Sequence, residues 1–129
     1  MEMKSKAATV DEYFLEIPEK RVALPAMVRA LCKEVLIGYE EHMACGMPAY
    51  SRNGLVALTF AIQKNQISFY TLKEDAVHAN VALSQGLEPG KPVVRFDRLE
   101  GIDFELVRKL LVDVFTDEQA HFVKHPGIG

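Results

Sequence analysis

Apolar and polar positions alternate along the chain with two different periods, and the switches between them mark the elements. Thr9, with Glu12 three residues on, forms a capping-box signature, after which Val10, Tyr13, Phe14 and Ile17 recur at helical spacing. A short amphipathic helix ending near Pro18 is predicted. The helical stripe resumes through Leu24, Met27, Val28, Leu31 and Val35 and stops at Gly38. Pro25 lacks a backbone N–H, so the second helix is placed mainly over residues 25–37. From Tyr39 the period drops to that of a strand. Tyr39 to Ala44 reads as the first strand, with a bulge at Gly46 and Pro48 before Ala49 to Ser51. Asn53-Gly54 is a strong two-residue hairpin signal, because a type I′ turn needs positive φ at both central positions. In the strand that follows, Val56, Leu58, Phe60 and Ile62 alternate with Ala57, Thr59 and Ala61, which puts large groups on one face and small ones on the other. Lys64-Asn65 turns the chain into Ile67 to Thr71. Asp75 to Gln85 is a helix candidate ended by Gly86, Val93 to Phe96 a last strand, and Asp103 the cap of a final helix with Phe104, Val107, Leu111 and Val114 on one face. His121 to Gly129, with His125-Pro126-Gly127, reads as a loose tail.

Strands in sequence with helices before and after, and no βαβ alternation, predict an α+β fold: an antiparallel sheet of about five strands with helices packed on one face. The 129 residues hold a single domain, core 9–115, and 49% hydrophobic content supplies a core without staples. The formal charge of −3 and the lack of a basic stretch speak against nucleic acid or anionic lipid as partner. No run approaches the ~20 apolar residues of a membrane span, and the start has no apolar signal region, so a cytoplasmic protein is expected. Cys32 and Cys45 lack CxxC spacing and read as free thiols.

Candidate chemistry is sparse. Residues 86–91 read GLEPGK, one residue short of a phosphate loop and followed by Pro92 where a hydroxyl would be needed, so a turn is the better account. Cys45 and His42 lie three apart on a strand, which points them to opposite faces. No GxSxG sequence surrounds Ser51, Ser68 or Ser84, and no catalytic constellation is expected. Asp11, Glu12, Glu16 and Glu19 crowd the first helix, Glu12, Glu16 and Glu19 on one face, and Glu40 with Glu41 on the first strand extend the acidic surface. Carboxylates that repel one another attract a hard or borderline cation, although Lys20 and Arg21 lie close enough to neutralise them. Asp117, His121 and His125 stack at i, i+4 and i+8 if the last helix runs that far. Met47, Tyr50, Phe60 and Tyr70 are the candidates to wall a small-molecule pocket beside the sheet. An interaction surface on the exposed side of the sheet is a further candidate.

Val10-Asp11-Glu12-Tyr13, Ile17-Pro18-Glu19, Gly46-Met47-Pro48-Ala49-Tyr50, Gly54, Lys64-Asn65-Gln66-Ile67-Ser68-Phe69-Tyr70, and Gly90-Lys91 with Arg95-Phe96 together resemble the YdhG-like family, domain of unknown function 1801. That family is similar in outline to frataxins, and one member is regarded as an iron chaperone. The resemblance implies an antiparallel sheet covered by helices and a non-enzymatic role in binding or delivering iron. It implies no tightly bound cofactor, transient iron on acidic side chains, and iron-sulfur or haem assembly proteins as partners. Monomer and homodimer both stay open. Cys45 stands where the family often has Tyr, and the His121 to Gly129 tail departs from its pattern.

Overall fold

The computed structural model describes residues 5–71 and 91–124, with 117–124 described as helical backbone only. The predicted helix over 75–85, most of the GLEPGK turn, and His125 lie outside the described residues, and so do the side chains of Asp117 and His121. The elements run α1 (Val10–Leu15), a 3₁₀ turn (Glu19–Arg21), α2 (Ala23–Val35), β1 (Glu40–Ala44), β2 (Met47–Arg52), β3 (Leu55–Gln63), β4 (Gln66–Thr71), β5 (Val94–Phe96), a second 3₁₀ turn (Leu99–Gly101) and α3 (Phe104–Lys124). The fold is α+β. One five-stranded antiparallel sheet has its strands in chain order, β1-β2-β3-β4-β5.

Local chemistry explains the helix ends. Thr9 Oγ1 accepts from the Glu12 N–H at 3.1 Å, and the Glu12 carboxylate reaches back to the Ala8 N–H at 2.9 Å, a reciprocal cap of the kind the spacing predicts. Pro25 does not break α2, because it lies in the first turn, where a backbone N–H has no partner within the helix. Asp103 caps α3 by accepting from the N–H groups of Glu105 and Leu106, each at 3.1 Å. The helix runs on to Lys124, past His121, where the sequence places the start of a tail.

Two features of the sheet differ from expectation. The chain reverses between β1 and β2 at Cys45-Gly46, with φ of 54° and 76°, a two-residue turn where the sequence predicts a bulge. Pro48 is accommodated opposite Met43 because the β2–β3 ladder begins only at Ala49, leaving Pro48 unpaired on that side. The bulge lies further on. Tyr50 pairs with Leu58 and Ser51 with Val56, so Ala57 is the extra residue and the alternation of β3 changes phase there. Val56 therefore joins the face opposite to Leu58, Phe60 and Ile62, while Ala57 packs with the helix-side core.

The described helices all pack against one face. Phe14 of α1, Val28 and Leu31 of α2, and Val107, Leu111 and Val114 of α3 meet Tyr50, Leu58, Phe60, Ile67 and Phe69 from the sheet. Aromatic rings run across the strands, Tyr50 to Phe60 to Phe69 to Phe96, with centroids 5.9–6.5 Å apart once Phe14 edge-on to Phe60 is included. Tyr13 ties α1 to the sheet by accepting from the Ile62 N–H at 2.9 Å, beyond the last β2–β3 pair. The second face carries a smaller cluster, Met47, Ala49, Val56, Ala61 and Tyr70, all buried, with buried Ser51, Thr59 and Ser68 beside it.

Candidate functional site

The six acidic candidates do not gather. Glu40 and Glu41 are neighbours on a strand and so face opposite sides of the sheet. Pro18 ends the first helical run, so Glu16 is the C-cap of α1 and Glu19 belongs to a separate 3₁₀ turn, which breaks the predicted acidic face. Glu12 is engaged in the cap, and Glu16 accepts from the Ser5 hydroxyl at 2.7 Å. Asp11 and Glu41 do converge, on Arg29 of α2. The guanidinium makes two parallel bonds to Glu41, at 2.8 and 2.9 Å, and one ion pair to Asp11 at 2.9 Å. Among the described residues no three His, Cys, Asp or Glu side chains are placed to hold a metal ion.

Arg29 organises a polar network under α1 and α2. Its guanidinium carbon stands 5.3 Å from the centre of the Phe14 ring, and Glu41 also accepts from the Tyr50 hydroxyl at 2.7 Å and lies 3.8 Å from Lys33 Nζ. The Glu41 side chain is 14% exposed and that of Arg29 21%. Burial alone would raise the Glu41 pKa. The hydrogen bonds from Arg29 and Tyr50, together with the charges of Arg29 and Lys33, outweigh it and hold the carboxyl below its ordinary value. Hydrogen bonding to Glu41 raises the Arg29 pKa against its own desolvation. Burial, next to Cys32 and Glu41, raises that of the Tyr50 hydroxyl, and burial pushes the Cys32 thiol up to about 12. At its centre, Glu41 and Arg29 are largely covered and paired with each other, which is the character of a structural brace.

The four pocket candidates divide between the two sides of the sheet. Tyr50 and Phe60 stack in the helix-side core, with ring planes 22° apart, while Met47 and Tyr70 belong to the opposite cluster. Met47 and Tyr50 are three apart on one strand, so the alternation that buries each of them keeps them from lining one space.

A concave site does exist, on the outer side of the helical layer. Met27, Ala30, Leu31 and Glu34 form one face of α2 at i, i+3, i+4 and i+7. Phe104, Glu105 and Arg108 come from the first turns of α3, and between the two helices they leave a groove of about 350 Å³. Arg108 bridges to Glu34 at 3.1 Å and so ties the helices together across the groove. Met27 is 53% exposed, so a flexible, polarizable thioether is presented to solvent on an apolar wall. Met27 and Phe104 were legible in the sequence only as members of core stripes. What distinguishes them is the pairing of two helices remote in the chain, which no local pattern reports.

A search of solved structures bears on this architecture. A crystal structure of a protein from the DUF1801 family, YdhG from Bacillus subtilis, superposes with a TM-score of 0.61 at 14% sequence identity, covering 94% of this chain and 94% of that one. The chain is similar to YdhG in fold. At that identity the likeness establishes the five-stranded antiparallel sheet and its helical layer, in agreement with the resemblance carried by the sequence motifs. No family model matches the chain, and no curated protein matches it. No helix among the described residues is long and apolar enough to cross a membrane.

Proposed function

We propose that this chain is a YdhG-like binding module whose groove between α2 and α3 receives a small amphipathic ligand. The observation that carries the reading is the groove itself, which falls at the lower end of the roughly 300–1,000 Å³ range of ligand sites. Its lining combines an apolar wall, Met27, Leu31 and Phe104, with the charged groups Glu34, Glu105 and Arg108. An alkyl chain would bury against the wall while its polar head met the charges. The test is a proton–carbon NMR titration with n-octylammonium and, separately, octanoate, read at the Met27 methyl group and the Phe104 ring. Saturable shifts confined to these groups are expected, together with their loss in Ala30→Phe, which fills the groove from an exposed position on α2. Shifts that never saturate, or that persist in the filled variant, would remove the reading.

Iron delivery to iron-sulfur or haem assembly proteins, implied by the family resemblance, is the weaker reading. Iron would have to displace Arg29 from Asp11 and Glu41, the N-terminal cap from Glu12 and the Ser5 hydroxyl from Glu16. Anaerobic calorimetric titration with Fe²⁺ is expected to give no heat beyond dilution, and a saturable signal abolished by Glu12→Gln with Glu16→Gln would reinstate it.

A further inference from the structure

The groove between α2 and α3 carries a charge imbalance that sets the sign of its ligand. Its lining holds two carboxylates, Glu34 and Glu105, and one guanidinium, Arg108. Arg108 and Glu34 pair at 3.1 Å, so their charges largely cancel within the groove. Glu105 is left over. Its side chain is exposed and, among the described residues, has no ion-pair partner. The other cations on α2 and on α3 through residue 116 are directed elsewhere. Arg29 holds Asp11 and Glu41, Lys33 stands 3.8 Å from Glu41, and Lys109 stands 3.7 Å from Asp113.

The backbone does not reverse this sign. A helix N-terminus attracts anions through its unpaired N–H groups, and Glu105 lies in the first turn of α3. Here Asp103 already accepts from the N–H groups of Glu105 and Leu106, each at 3.1 Å. The cap thus takes two of the donors that an anionic head would need, and it adds a carboxylate next in the chain to Phe104. The apolar wall also suits a cation. An aromatic ring attracts positive charge over its face, and Phe104 lines the groove together with the polarizable, exposed thioether of Met27.

We propose that the groove selects a primary alkylammonium amphiphile, whose head donates hydrogen bonds to Glu105 and whose chain lies on Met27, Leu31 and Phe104. The inference rests on the groove being a ligand site and adds the charge and chemistry of the head group. An ammonium brings donors and a positive charge to a carboxylate that has neither. An alkyl carboxylate meets the same charge as repulsion. It could gain a partner only by separating Arg108 from Glu34, which would leave a second carboxylate uncompensated. Because the groove is open to solvent, attraction in one case and repulsion in the other together amount to about tenfold in relative affinity.

The test compares n-octylammonium, n-octanol and octanoate on the full chain at low ionic strength, with dissociation constants read from the Met27 methyl shift. Octylammonium should bind about tenfold more tightly than octanoate, with octanol between them. Raising sodium chloride from about 20 mM to about 500 mM should shrink that ratio to about threefold or less, because screening acts on the head and not on the chain. Glu105→Gln at low salt should shrink it likewise. Asp113→Asn, which removes an equal charge outside the groove lining, should leave it at about tenfold. Saturable octanol binding with octanoate as tight as octylammonium would overturn this proposal and leave the groove as a ligand site. No saturable binding of any of the three would overturn both readings. A ratio unchanged in Glu105→Gln, or reduced as much in Asp113→Asn, would overturn the assignment to Glu105, and the salt series on the unsubstituted chain decides even if a variant does not fold.

Discussion

Replacing Glu41 tests whether the network around Arg29 braces the fold. In Glu41→Ala the Tyr50 hydroxyl, buried between β2 and the helices, loses its acceptor at 2.7 Å, and an orphaned buried donor costs about 1–3 kcal/mol. Arg29 loses two of its three bonds to carboxylates but keeps Asp11. Breaking a fully buried ion pair costs about 3–5 kcal/mol. Because the two side chains retain 14% and 21% exposure, and Asp11 remains, the expected total is at the low end, about 3 kcal/mol. Urea unfolding followed by circular dichroism measures it. With a slope of about 1.5 kcal/mol per molar, the midpoint should fall by about 2 M with the slope unchanged. Tyr50→Phe alone should cost about 1 kcal/mol, since it removes the donor and leaves Glu41 on Arg29. In the double variant that cost should vanish or reverse, because the phenylalanine removes the very hydroxyl that Glu41→Ala orphans. A loss below about 1 kcal/mol in Glu41→Ala, or additive single effects, would refute the bracing argument.

The same group sets a pH dependence. The folded-state pKa of Glu41 lies below its unfolded value, about 4.3 for a free Glu, so its contribution is complete above that value and is lost as pH falls through the folded pKa. Unfolding free energy measured from pH 7 to pH 3 should therefore fall on acidification below about pH 4.3, and the fall should be shallower in Glu41→Gln, which has no proton to take up.

Other outcomes follow from single positions. Thr59→Val should raise stability by about 1 kcal/mol in urea, since it removes a buried hydroxyl that has no partner, and a loss would mean that the hydroxyl is satisfied in solution. Cys45→Asn should stabilise by about 0.5–1 kcal/mol, because Cys45 holds φ at 54° where asparagine is better tolerated, whereas Cys45→Val should destabilise. Cys32 should not react with an aromatic disulfide reagent in the folded protein at pH 8, because it is fully buried and its thiol is held at a pKa of about 12; mass mapping after global unfolding should show it modified.

The fold was legible where a residue type has one dominant local use. Thr9 with Glu12, Asp103 before an apolar stripe, and Asn53-Gly54 each satisfy a backbone demand that few other residues meet, and each appears where it was expected. Cys45-Gly46 carries no such signal, because cysteine is not a turn residue; the turn is imposed by pairing on both sides of it, from Ala44 opposite Met47 outward. The phase of β3 is hidden in the sequence for the same kind of reason. Val56 continues the alternation of Leu58 and Phe60 in sequence, and only the two-against-one pairing around Ala57 moves it to the other face.

The Cys45-Gly46 turn and the Ala57 bulge decide which sites are legible in the sequence. A strand that bulges at Gly46 has no defined register with the next, so His42 and Ser51 are unrelated residues in the sequence. A turn centred between Cys45 and Gly46 makes them diagonal neighbours without further assumption. The same register places Glu41 opposite Tyr50 and turns it toward α2, where Arg29 takes the carboxylate that acidic clustering alone would have assigned to a cation. Charge along the chain thus predicted a metal surface, while the geometry of one hairpin commits the central carboxylate to an internal brace and presents the histidine on the opposite face. Moving the turn by one residue would exchange the two faces, so an insertion between Cys45 and Gly46 that preserves the strands should abolish both the Glu41–Arg29 bond and the His42–Ser51 contact. Retention of either in the NMR spectrum of such a variant would show that tertiary packing, rather than the hairpin, sets the register.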